Sequence, residues 1–124
     1  MSHLSLSCRD LPGGVLITVT GELDATNAHE LESYAESHRR PGPGMVLDLG
    51  GLIFLDSRGL HVLLRLQSAV GGQGGLLRVA GVQGRPARIL QITGVWSVLT
   101  IYPDAQQAAV AMCAHDADGA QKPS

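Results

Sequence analysis

Aromatic residues make up only 3% of this 124-residue chain, with one Trp, two Tyr and one Phe. That scarcity removes the stacking platforms used by single-strand nucleic-acid binders and leaves the core to aliphatic side chains. Charge is also thin, at 16% of residues, with a formal net charge of -2 and a pI near 6.2. The chain therefore lacks the basic excess that neutralises a phosphate backbone, and no direct nucleic-acid binding is expected. The two cysteines, Cys8 and Cys113, lie far apart and outside any CxxC or His-spaced pattern. Neither a zinc site nor a disulfide framework follows, and both read as reduced, small and buried. The five histidines are scattered without HExxH or i,i+4 pairs, and neither GxGxxG nor GxxxxGKS occurs. No metal, cofactor or enzyme chemistry is indicated. No apolar run approaches the roughly 20 residues that span a bilayer. The opening MSHLSLSCRD lacks the basic and apolar regions of a signal peptide, so a cytoplasmic protein without membrane association is expected.

Hydrophobic residues, by contrast, reach 44%, with a mean hydropathy of +0.14. Length and composition fit one domain with an ordinary core, burying about two-thirds of the unfolded surface. Acidic residues crowd the first half: Glu22, Asp24, Glu30, Glu32, Glu36, Asp48 and Asp56. Between Asp56 and Asp104 the only charged residues are Arg58, Arg65, Arg78, Arg85 and Arg88, which suggests two surfaces of opposite sign.

His3 to Arg9 alternates apolar and polar residues, the pattern of a half-buried strand. Pro12-Gly13-Gly14 marks a turn, and Val15 to Thr20 is the returning strand of a hairpin, ended by Gly21. Thr26 or Asp24 can cap a helix over Ala28 to Arg39, broken by Pro41-Gly42-Pro43-Gly44. Met45 to Leu49 follows as a short buried strand, and Gly50-Gly51 opens a loop. Leu60, Leu63, Leu64 and Val70 trace the inner face of a second helix, with Arg58, His61, Arg65 and Ser68 on its solvated face. Leu76 to Ala80 is a strand, Pro86 to Thr93 a short helix and Val98 to Tyr102 a last strand. An alanine-rich helix then runs to about Ala114 before a polar tail. Two strands followed by alternating helices and strands imply an α/β fold with a mixed sheet of about five strands and about four helices.

The informative segment is Leu52-Ile-Phe-Leu-Asp-Ser-Arg-Gly-Leu60, where Asp56 and Ser57 stand at the opening of a helix. Two readings are open. Unpaired N–H groups and the positive end of the helix dipole favour an oxyanion or phosphate there. Alternatively, Asp56 or Ser57 is only an N-cap, worth about 0.5 to 2 kcal/mol. Ile53 and Leu55 read as core, and Leu52 and Phe54 as projecting outward. The run Gly71 to Gly75 follows a helix and precedes a strand, the context of a flexible turn rather than a phosphate cradle.

The stretch Asp48-Leu-Gly-Gly-Leu-Ile-Phe-Leu-Asp-Ser-Arg-Gly-Leu60 resembles the signature of STAS domains in bacterial anti-sigma-factor antagonists. Gly21-Glu22-Leu23-Asp24, Leu77-Arg-Val-Ala-Gly-Val82, Ile89-Leu-Gln-Ile-Thr-Gly94 and Tyr102-Pro-Asp104 are similar to further family elements, in the correct order. The resemblance implies a single STAS domain over residues 1–114, with an N-terminal hairpin and a flexible tail over 115–124. It implies that Ser57 is phosphorylated by an anti-sigma-factor serine kinase and dephosphorylated by a PP2C-type phosphatase. In its unphosphorylated form the chain would bind the kinase and so release a sigma factor. Asp24, Thr26, Phe54, Asp56, Arg58, Gly59 and His61 would form the partner-binding surface. Gly59, a residue that costs up to about 1 kcal/mol in a helix, would either let the partner's backbone approach the Ser57 hydroxyl or only permit close packing inside the domain. Arg58 departs from the small residue usual in the family. The alternative is a non-switching STAS subunit of a transporter or signalling assembly.

Overall fold

The computed structural model describes residues 3–39, 44–72 and 74–121, with side chains described as far as Ala114. The break expected over 41–43, Gln73 of the glycine-rich turn, and the side chains of the expected tail lie outside the described residues. Strands β1 (Leu4–Leu11) and β2 (Gly14–Leu23) come first, then α1 (Ala28–His38), β3 (Gly44–Leu55) and α2 (Ser57–Gly71). They are followed by β4 (Leu76–Ala80), α3 (Gly84–Ile92), a 3-10 turn at Val95–Ser97, β5 (Thr100–Tyr102) and α4 (Ala105–Gln121). The strands form one mixed sheet in the order β1-β2-β3-β4-β5. The β1–β2 hairpin is antiparallel, and every other pairing is parallel. Parallel neighbours need crossovers, which α1, α2 and α3 provide. The α/β architecture with an N-terminal hairpin is as expected from the sequence.

Strand alternation separates two cores. Val15, Ile17 and Val19, with Met45, Leu47, Leu77 and Val79, pack against Leu31 and Ala35 of α1, Leu63 and Leu66 of α2, and Leu90 of α3. Leu16, Val46 and Ala80 point to the opposite face, where Ala108 and Met112 of α4 cover them. Each of the buried Val, Leu, Ile and Met side chains contributes roughly 1.5 to 3 kcal/mol relative to exposure. Arg78 alternates with Leu77 and Val79 and so turns to the α4 face. It is 4% exposed, and its Nε donates to the Tyr102 hydroxyl at 3.3 Å. Burial removes it from the basic surface that the charge pattern suggests. Arg65 also departs from that pattern, since its Nε pairs with Glu32 Oε2 at 2.8 Å and ties α2 to α1. Cys8 and Cys113 are half-buried and not joined by a disulfide. Among the described residues, no helix is long and apolar enough to cross a membrane.

Several boundaries differ from the expected ones, and β2 and β3 differ most. Gly21 does not end β2. At φ 98 it continues the strand opposite Leu4, and a Cβ there would stand 1.8 Å from the His3 carbonyl oxygen. Only glycine permits that approach. Strand β3 likewise runs on through Gly50-Gly51 to Leu55, paired with the far end of β2. Along it Thr18 faces Asp48 but Thr20 faces Gly51, and Gly21 faces Leu52 but Glu22 faces Phe54. Each irregularity leaves an extra residue on β3, a bulge that resets which side faces inward. Helix α4 continues to Gln121, beyond Ala114.

Candidate functional site at the opening of helix α2

The bulged end of β3 delivers the chain to α2 at Asp56, whose extended backbone (φ -107, ψ -174) makes it the N-cap. Its Oδ1 accepts the N–H groups of Arg58 at 3.0 Å and Gly59 at 3.1 Å. Its Oδ2 accepts the N–H of Ala25 at 3.0 Å, and its own N–H donates to the Leu23 carbonyl. One carboxylate thus satisfies two orphan donors of α2 and clasps the loop between β2 and α1. Its charge also matches the positive end of the α2 dipole. Ser57 is then the first helical residue, exposed, and its hydroxyl bonds to no group among the described residues.

The clasped loop is ordered from within. Asp24 Oδ1 accepts both the N–H of Thr26, at 2.9 Å, and the Thr26 hydroxyl. These bonds, that of the hydroxyl foremost, hold the Asp24 carboxyl below its ordinary value of 3.8, because they favour the charged form. Neither Thr26 nor Asp24 is the N-cap of α1, as the sequence suggested. Asn27 occupies that position, yet its side chain makes no capping bond. It is 1% exposed and reaches backward: Oδ1 accepts the N–H of Asp24 at 2.9 Å, and Nδ2 donates to the Glu22 carbonyl at 2.9 Å.

The structure sorts the remaining site residues. Thr26, Arg58 and His61 are exposed. Arg58 and His61 also line a cleft between α1 and α2 with Ala25, His29, Glu32 and Arg65. Leu52 is buried and Ile53 is 64% exposed, the reverse of the expected assignment, because the second bulge adds Ile53 to the outer face beside Phe54, which is 37% exposed. Leu55 is buried as expected. Gly59 is also buried: a Cβ there would lie 2.6 Å from Leu55 Cδ1 and 2.9 Å from Leu23 Cγ. Packing against Leu55 and Leu23 is by itself a reason for glycine at this position. Sequence reasoning missed Asn27 and Ile53. An Asn directly before a helical pattern was a signal for the first, whereas nothing local marks the bulge that exposes the second. Among the described residues, no group of three or more His, Cys, Asp or Glu is arranged to hold a metal ion.

Comparison with known proteins places this geometry in context. The chain is similar to an anti-sigma F factor antagonist of Paenibacillus polymyxa, 29% identical over 102 residues that cover 81% of this chain and 87% of the relative. It is also similar to the crystal structure of an anti-sigma factor antagonist from Mycobacterium paratuberculosis, with a TM-score of 0.74 and 26% identity over 88% of this chain and 93% of that one. A sulfate transporter family protein from Wolinella succinogenes shares the fold, with a TM-score of 0.69 at 18% identity over 78% of this chain and 82% of that one. The STAS domain model matches residues 6–108, so the chain belongs to the STAS domain family.

Proposed function

We propose that this chain is an anti-sigma-factor antagonist that binds an anti-sigma serine kinase when unmodified, so releasing a sigma factor, and is switched off by phosphorylation at Ser57. The observation that carries the reading is the division of labour at the start of α2. If Ser57 served only as a cap, as in a non-switching STAS subunit, its hydroxyl would bond the first-turn amides. Asp56 already holds them, which leaves the exposed Ser57 hydroxyl available for transfer of a phosphoryl group. The names of the two similar antagonists support the same role.

A phosphoserine adds roughly -1.5 to -2 charges at pH 7. The amides of Arg58 and Gly59 are occupied by the Asp56 carboxylate, so the new charge stands on the outer surface beside a second acidic group. It opposes docking on a surface suited to a neutral hydroxyl, and the fold itself stays intact. Asp24 and Thr26 in the clasped loop, with Phe54, Asp56, Arg58 and His61, form the kinase-facing surface. Gly59 contributes by keeping α2 close to β2 and β3. ATP and Mg2+ belong to the kinase, and a PP2C-type phosphatase resets Ser57. The protein acts in the cytoplasm, without nucleic acid or membrane.

The test is incubation with the cognate kinase and ATP, followed by intact mass. The wild type gains one phosphate and Ser57→Ala gains none. Equal incorporation in that variant, or none in the wild type, contradicts the reading.

A further inference from the structure

We propose that Asn27 is a positioning residue for the phosphoacceptor site, holding the β2–α1 loop in the shape that the kinase reads together with Ser57. This rests on the function proposed above and adds a residue that does not itself touch the partner. The argument begins with a mismatch between residue type and use. Asn is favoured at a helix N-cap because its side chain accepts an amide of the first turn. Asn27 holds that position in α1 and makes no such bond. Its amide is instead buried and turned back into the loop, where it engages the Asp24 N–H and the Glu22 carbonyl. A buried amide is retained where both its donor and its acceptor are satisfied, and it fixes whatever it bonds.

What Asn27 fixes is the backbone on both sides of Leu23. Leu23 supplies the carbonyl that accepts the Asp56 N–H. Immediately beyond it lie the Asp24 carboxylate and the Ala25 N–H that closes on Asp56 Oδ2. Asn27 is therefore linked to the first turn of α2 through the loop backbone: its amide holds the Asp24 N–H, and the adjoining Ala25 N–H bonds to the Asp56 carboxylate that caps α2. Without Asn27, the Glu22 carbonyl and the Asp24 N–H lose these side-chain partners, and the loop is no longer held in one shape against the first turn of α2.

The test pairs Asn27→Ala with Ala35→Gly, a change on the inner face of α1 away from the loop, chosen to lower Tm. In the free protein, hydrogen exchange at the Asp24 and Ala25 amides should accelerate at least about tenfold in Asn27→Ala and stay unchanged in Ala35→Gly. With the cognate kinase and ATP, KM for Asn27→Ala should rise about tenfold with kcat nearly unchanged, as expected when a binding surface loses its preorganisation. Ala35→Gly should show no such split. Unchanged exchange at both amides overturns the proposal, as does a loss of phosphorylation that tracks Tm equally in both variants. If Asn27→Ala fails to fold, Asn27→Asp, which keeps the acceptor and loses the donor to Glu22, is measured in the same way. If the wild type takes no phosphate at Ser57, the function reading fails, and unaltered loop exchange or its acceleration decides the structural relay separately.

Discussion

Gly59 shows how magnitudes decide a single position. Glycine within a helix costs up to about 1 kcal/mol relative to alanine, so Gly59→Ala would ordinarily stabilise α2. Here the added methyl meets the side chains of Leu55 and Leu23, both buried, which must shift to admit it. Overpacking typically costs about 1 to 3 kcal/mol, which exceeds the propensity gain. Gly59→Ala is therefore expected to lose about 1 to 2 kcal/mol in urea denaturation, and a gain in stability would show that the contact is not tight. A glycine in a helix is unusual in the sequence alone, but the neighbours it must clear, Leu55 and the distant Leu23, are set by the fold. Asn27 was illegible for a related reason: its type announces a cap, and only the fold shows the side chain turned the other way. The place of Ser57 at the helix opening, in contrast, was legible because the cues to it are local.

At the scale of elements, the hairpin, the order of strands and helices and the apolar stripe of α2 followed directly from period-2 and helical spacing. The extent of β3 did not. Gly50-Gly51 reads as the start of a loop, yet the strand continues because β2 offers partners as far as Leu23 and two bulges absorb the mismatch. Those bulges decide that Leu52 faces the core and Ile53 the solvent. The same junction makes Asp56 the fastening between two elements, with Ser57 contributing little to stability. Asp56→Ala removes a cap worth about 0.5 to 2 kcal/mol and the bond to Ala25, so a loss of about 2 kcal/mol is expected. Ser57→Ala should change stability by about 0.5 kcal/mol or less, since its exposed hydroxyl holds nothing among the described residues. Chemical denaturation of both variants checks the contrast, and equal losses would mean that Ser57 shares the capping role.

Across the whole molecule, the fold separates the packed cores from the exposed turn at Ser57. Two aliphatic cores on opposite faces of the sheet hold β2 and β3 rigid, and their adjacent ends bring the Asp24 loop and the Ser57 turn together. Arg78, which the charge pattern assigns to the surface, is taken up beneath α4. The site consequently depends on short-range hydrogen bonds and on one exposed hydroxyl rather than on a broad charged face. In the proposed switch, a modification at that hydroxyl changes what a partner meets while leaving the scaffold in place. The most direct test of this account is calorimetric titration of the cognate anti-sigma kinase with unmodified and Ser57-phosphorylated protein. The unmodified form should bind, and the phosphorylated form should bind at least about tenfold more weakly, a difference of about 1.4 kcal/mol, with Tm nearly unchanged. Equal affinity of the two forms, or unfolding of the phosphorylated one, would contradict it.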